Sequence, residues 1–247
     1  MVRRSALEQV AGFDEDLRVG EDVDLVWRLG GAGWSVRYEP AAAVSHPNRS
    51  SVPAWARQRV DYGSSAALLQ RRHPGAAAPA AVSRWSALAW GLAAAGRPLS
   101  AGAVATVTTA LLVPRLRALA HPAGAAVRLA GKGHLFAGVQ LADAVRRAWW
   151  PLVVPVAIAR PRVRWALAAA FVIPPAARWW KRRPAIGPVR FVAAKVVDDA
   201  AYSLGVWLGC ARDRSAAALR PDLSSWPGRQ AAVSTPTTDT NETISPG

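Results

Sequence analysis

The chain has 247 residues and a net charge of +15, from 31 Lys and Arg against 16 Asp and Glu. A single cysteine, Cys210, excludes an internal disulfide framework and any cysteine-built zinc or iron–sulfur site. Apolar residues make up 51%, which excludes wholesale disorder, although Ala alone fills 53 positions and contributes little area to a core.

The charge is unevenly spread. Nine of the 16 acids lie within residues 1–61, whereas between Tyr62 and Val197 a lone acid, Asp143, stands among 19 Lys and Arg. Soluble surfaces normally intersperse both signs, so the basic excess calls for an anionic partner or an anionic membrane face. Three segments follow: a mixed-charge front (1–80), a basic Ala- and Trp-rich stretch (81–213), and a Pro- and polar-rich tail (214–247), whose composition predicts disorder.

The front reads as an α/β piece. A short helix is expected from Arg4 to Val10, then a turn at Ala11–Asp14. Gly20 precedes a second helix, Glu21 to Gly30, whose first-turn acids suit the positive helix N-terminus. Trp34 to Glu39 alternates as a strand does and stops at Pro40, and Ala43 to His46 is a second candidate strand. Pro53 opens a third helix that runs to Arg72 and halts at Pro74-Gly75. There is no Gly-rich strand–turn–helix, so the front is not by itself a nucleotide-binding domain.

The stretch Gly12-Phe13-Asp14-Glu15 through Gly20-Glu21-Asp22-Val23-Asp24-Leu25-Val26-Trp27-Arg28-Leu29 is the most informative. A carboxylate that follows a glycine and opens a helix can project into a cleft and take a proton from an attacking hydroxyl. The same acids also suit the helix dipole with no catalytic role, and physics alone leaves both readings open. Asp24 and Arg28, four apart, would pair on the helix surface, and Leu25 and Leu29 would face inward.

This motif, continued by Gly33-Trp34-x-Val36-x-Tyr38-x-Pro40 and Val44-x-His46, resembles the acceptor-side half of family 2 inverting glycosyltransferases. That resemblance implies a GT-A fold, here its C-terminal remnant, and transfer of a hexose from a sugar nucleotide to an acceptor hydroxyl. It places the general base on Asp22, lets Glu21 shape the acceptor site, and sets His46 near a metal-bound diphosphate; a packed strand-end histidine is the alternative for His46. Some processive members carry Gln-x-x-Arg-Trp, where this chain has Arg57, Arg59 and Tyr62 with changed spacing and order. The resemblance makes these three the candidate contacts to the donor diphosphate, and an amphipathic helix with two exposed arginines is the alternative.

The string from Arg4 to Ala67, the Arg72-His73-Pro74-Gly75 end and the Ala-rich continuation are most similar to the branch of that family that acts in mycofactocin biosynthesis. That branch implies glucose added to a peptide-derived redox cofactor. A cell-wall or lipid-carrier acceptor is the alternative within the family. The family's donor half, with its uridine-binding acid and metal-binding Asp-x-Asp, has no counterpart before the motif. Asp22-Val23-Asp24 lies in the helical acceptor motif and is not read as that metal site. The chain is therefore expected to be a C-terminal part, not competent alone for donor binding, with a divalent metal (Mg or Mn) held mainly by residues outside it.

Residues 81–213 carry apolar runs at Trp85–Gly96, Ala101–Pro114, Trp149–Ala159, Trp165–Ala177 and Tyr202–Cys210, bracketed by Trp and by Arg146-Arg147 and Lys181-Arg182-Arg183. Each is shorter than the ~20 residues of a full span. Trp brackets and basic flanks suit a membrane interface, so membrane lipids are the expected partner and the catalytic part is placed on the cytoplasmic side. A soluble Ala-rich bundle with Trp inside and Arg outside is the competing architecture, and a non-enzymatic basic membrane-binding protein the competing function. Nucleic acid is not expected as a partner, because the basic residues lie between apolar runs and follow no recognition motif. Gly131-Lys132-Gly133-His134 lacks P-loop spacing, His121 and His134 lack paired metal ligands, and Asp198-Asp199 reads as a helix-face pair or a polar anchor.

Overall fold

The computed structural model describes residues 2–42, 49 and 51–223. Two helices, α1 (Arg4–Gln9) and α2 (Glu21–Gly31), precede the long α3 (Val52–Arg72). Then come α4 (Arg84–Ala94), α5 (Pro98–Leu112), α6 (Pro122–Ala144), α7 (Trp150–Ala159), α8 (Pro161–Arg182) and α9 (Pro188–Arg212). A 3₁₀ turn, Val113–Leu116, extends α5, and a π-helical turn, Val145–Trp149, joins α6 to α7. Several prolines are helix starts: α5, α6, α8 and α9 each begin on one. Proline's fixed φ suits the first helical position, where the missing N–H would have had no partner.

The spine is the pairing of α3 with α9. Gly63 lies against Tyr202, Gly205 against Val60, and Gly209 against Ser64. Contacts climb both helices together, on to Arg71 and Asp213, so α3 and α9 run in the same direction. A Cβ on any of these three glycines would fall well inside contact distance of a backbone carbonyl on the facing helix. Gly205 and Gly209 are four apart, the small-residue spacing that lets two helix backbones touch. Ala66, Ala67, Val206 and Cys210 fill the seam beside them, with Ala218. A second core joins Ala80 and Val82 to Ala137 and Ala144, and a third joins Ala6 to Leu25 and Leu29.

Charged residues hold the rest. Arg146, in the π turn, has no exposed surface and donates to Asp199 at 2.8 Å and to Asp143. Arg178 of α8 donates to Asp143 at 3.0 Å, while Lys195 and Arg59 both pair with Asp198. One network therefore ties α3, α6, α8 and α9. Asp198-Asp199 is a buried polar anchor.

Two sequence expectations are corrected. Trp34–Glu39 is not a strand: the segment is irregular, with Val36 and Tyr38 exposed. Among the described residues there are no strands, just an isolated bridge between Ala81 and Asp222. A strand exists only by hydrogen bonding to a neighbour, and Trp34 instead donates its indole N–H to Gln9 at 2.8 Å. The Ala43–His46 expectation lies outside the described residues. Second, the apolar runs are not equivalent. Among the described residues, Pro98–Leu116 alone is long and apolar enough to cross a membrane, and none of its residues is buried. α7 is 10 residues long, and α8 carries Arg162, Arg164, Arg178, Lys181 and Arg182. Several tryptophans tie helices together: Trp207 donates to the Ala148 carbonyl, Trp149 to Leu219 and Trp90 to His134. The competing bundle picture put Trp inside and Arg outside; among the described residues no Trp is fully buried, while Arg146 is.

Gly63→Ala and Gly205→Ala are expected to lower unfolding stability by about 1–3 kcal/mol each, the cost of overpacking a tight contact. Gly102→Ala, where a Cβ meets open space, should leave stability unchanged or raise it. Thermal unfolding followed by circular dichroism reads the difference.

Candidate active site

Helix α2 is placed by what surrounds its first turn. Gly20 takes a left-handed conformation, φ 84° and ψ 11°, which an L side chain adopts at a cost. A Cβ there would also press on Leu69 at 3.0 Å and Ser65 at 3.2 Å of α3. Glycine is thus required twice, and the result is that α2 opens directly against the face of α3.

Behind the first turn sits Asp24, 1% exposed. It accepts from Arg28 Nε at 2.6 Å, contacts His73 Nε2 at 2.8 Å, and has Arg72 at 3.7 Å. Arg28 also donates to the carbonyls of Val10 and Gly12, Arg72 pairs with Asp14, and the His73 ring meets Trp27 edge-on at 5.2 Å. The Asp24–Arg28 pair is therefore the expected one, yet Asp24 is interior where a surface pair was expected, because the end of α3 folds over it. Burial alone would raise the Asp24 carboxyl, but the hydrogen bonds from His73 and Arg28 outweigh it and hold the group below its ordinary 3.8.

In front of the same turn lies an open cavity of about 990 Å³. Glu21 and Asp22 line it from α2, and Gln58, Asp61, Tyr62 and Ser65 from α3. Gln140 and Asp143 of α6, Arg147 of the π turn and Tyr202 of α9 also line it, with Arg18 and Arg49. Asp22 is exposed and accepts its own helix's Val23 N–H at 2.8 Å. The structure thus brings Asp22, Glu21 and Tyr62 to one space.

Arg57 and Arg59 are not on it. A helix turns about 100° per residue, so positions 58, 62, 65 and 69 form one stripe, and that stripe faces the cavity. Gln58 Nε2 donates to the Tyr62 hydroxyl at 2.8 Å across it. Arg57 is exposed elsewhere. Arg59 is turned to α9, where Nη2 donates to Asp198 at 3.1 Å, with its guanidinium 5.7 Å from the Tyr62 ring centre. His46 lies outside the described residues. Among the described residues no group of three or more His, Cys, Asp or Glu side chains could hold a metal ion.

Sequence reasoning missed Gln58 and Arg147. The helical stripe through Tyr62 was a usable signal for Gln58. Arg147 carried no signal beyond its basic charge.

The cavity is thus polar, with the carboxylates Glu21, Asp22, Asp61 and Asp143 and the arginines Arg18, Arg49 and Arg147 on its lining. Residues 1–180 match the family described as glycosyl transferase family group 2, and the chain belongs to that family. Over 233 residues it is 38% identical to the pre-mycofactocin glycosyltransferase of Mycobacterium tuberculosis, in strains H37Rv and CDC 1551 alike. That similarity covers 90% of this chain and 49% of the relative, so the chain spans about half the length of these relatives. Over 53 residues, 21% of the chain and 17% of the relative, it is 53% identical to the N-acetylglucosaminyl-diphospho-decaprenol L-rhamnosyltransferase of the same species. No solved structure matches the chain.

Asp24→Asn should destabilise the protein at neutral pH by about 1.5–3 kcal/mol, the worth of hydrogen bonds to a charged group. The sign follows from the depressed carboxyl: its contribution is complete above the ordinary value of 3.8 and is lost as pH falls through the lower folded value. Unfolding of parent and variant should therefore differ equally at pH 7 and pH 5 and converge below about pH 4.

Proposed function

We propose that this chain forms the acceptor side of an inverting GT-A transferase that moves a hexose, glucose, from a sugar nucleotide to a hydroxyl of a peptide-derived acceptor in mycofactocin glycosylation. The observation that carries the reading is the placement of Asp22: exposed on a 990 Å³ cavity, on a helix start fixed from behind by the buried Asp24. The 38% identity to the pre-mycofactocin transferase supports the acceptor class.

The acceptor hydroxyl oxygen attacks the anomeric carbon as the bond from that carbon to the diphosphate oxygen breaks. The hydroxyl proton passes to a carboxylate oxygen of Asp22, and the diphosphate leaves with the bonding pair. Inversion follows from attack opposite the leaving group. Glu21, beside Asp22 on the same turn, and the Gln58–Tyr62 pair across the cavity orient the acceptor's hydroxyls by hydrogen bonding.

Within the same chemistry, the 53-residue similarity to a transferase acting on a diphospho-decaprenol favours a second acceptor reading, a lipid-carried glycan. Helix α5 bears on both. Its unburied apolar surface, with Leu99, Val107 and Leu111 exposed, is the part of the chain suited to lipid. The catalytic cavity would then sit on the cytoplasmic side of that membrane.

In the protein at its natural length, Asp22→Asn should lower kcat by about 10²–10⁴, the usual worth of a general base, with the donor KM nearly unchanged. Substantial turnover by the variant would remove Asp22 from the role. Val107→Lys with Leu111→Lys should move the protein from the membrane to the soluble fraction after cell lysis. Retention of the double variant on membranes would take α5 out of the lipid-facing role.

A further inference from the structure

The part of the cavity lining that carries Asp143 and Arg147 belongs to an ion network with an unbalanced charge count. Five cations, Arg59, Arg146, Arg147, Arg178 and Lys195, share three carboxylates, Asp143, Asp198 and Asp199. Asp198 is taken by Arg59 and Lys195. Asp143, though on the cavity lining, is taken by Arg146 and Arg178. Asp199 is taken by Arg146 at 2.8 Å, and Lys195 stands 3.7 Å away. Arg147 comes last: its Nε is 3.9 Å from Asp199, the longest ion-pair contact of the network. Its guanidinium lies 4.0 Å over the Tyr202 ring centre, which holds the plane flat, and its side chain is 43% exposed on the cavity. The π-helical turn that carries it is a rare local form often met at functional sites.

We infer that Arg147, seated on Tyr202, holds a substrate diphosphate in the cavity. A guanidinium presents a rigid fork that matches two phosphate oxygens, and such charge-assisted pairs are about twice as strong as neutral hydrogen bonds. Arg147 is already partly desolvated on an aromatic face, so an incoming phosphate meets an oriented donor. The five-to-three charge count is relieved when the diphosphate arrives. The acids Glu21, Asp22 and Asp61 line the same cavity from α2 and α3, so a proton acceptor and an anion-holding group share one space. The inference rests on the reading of this cavity as the transfer site. The diphosphate can belong to the sugar nucleotide or to a diphosphate-linked acceptor.

The test uses the natural-length protein with Arg147→Gln, Arg147→Lys and Asp22→Asn. Inorganic pyrophosphate is titrated by calorimetry, and donor and acceptor KM are measured separately. Arg147→Gln should weaken pyrophosphate binding about tenfold, the effect of losing one charge-assisted phosphate contact, and Arg147→Lys should restore part of it. A matching rise in the donor KM assigns the diphosphate to the nucleotide, and a rise confined to the acceptor KM assigns it to the acceptor. Unchanged pyrophosphate binding in Arg147→Gln overturns the inference. If that variant does not fold, Tyr202→Leu, which removes the ring and keeps the charge, should weaken pyrophosphate several-fold, and no change overturns the inference equally. Asp22→Asn should leave pyrophosphate binding as in the parent. A fully active Asp22→Asn alongside a weakened Arg147→Gln would defeat the base assignment while the anion site stands.

Discussion

Arg146 has no exposed surface and sits at the junction of α6, α7, α8 and α9. A charge taken out of water at this depth persists where its carboxylates are correctly placed, and removing one partner of such a pair typically costs about 3–5 kcal/mol. Asp199 reaches it from α9 and Asp143 from its own helix, and Asp143 in turn holds Arg178 of α8. The relative setting of four helices is therefore fixed by geometry that tolerates little displacement. A core of alanines could not impose that alone, since alanine burial is weak and nearly featureless.

Glycine works with the ions. Close approach at Gly63, Gly205 and Gly209 brings two backbones together where larger side chains would hold them apart. That approach carries Asp198 and Asp199 toward Arg59 and Arg146. It also presents Tyr202 to the cavity beside the Tyr62 stripe of α3. The scarcity of acids in the basic stretch gains a reason: Asp143, Asp198 and Asp199 are spent inside, on cations, and do not intersperse the surface. The outer faces keep their positive sign.

Local rules written in the chain were readable. The starts and stops of α1, α2 and α3 follow caps, glycine and proline, and the structure has them at Arg4–Gln9, Glu21–Gly31 and Val52–Arg72. The family motif was readable because its residues are adjacent in sequence. What was not readable depends on distant partners. Asp24 looked like a surface acid because His73, which covers it, is 49 residues away. Nothing in the tryptophans' own runs reveals that Trp207 bonds Ala148 or that Trp149 bonds Leu219. Trp34–Glu39 has strand alternation, but alternation is a face pattern, and a ladder needs a second strand. The family resemblance points to Arg57 and Arg59, although helical geometry turns them away from the face that Gln58 and Tyr62 share.

The cavity joins the front of the chain to its helical continuation. Asp22 comes from a motif that a reader of the sequence can find, and Arg147 from a π turn more than a hundred residues later. Neither wall makes a transfer site by itself: a base without an anion-holding group leaves the departing charge unsupported, and an arginine without a base leaves the hydroxyl protonated. The α3–α9 seam brings the two walls to one space, because α3 carries the Gln58–Tyr62 floor on one side and grips α9, and through it Arg146 and Arg147, on the other. Small residues in that seam are thus tied to function through distance.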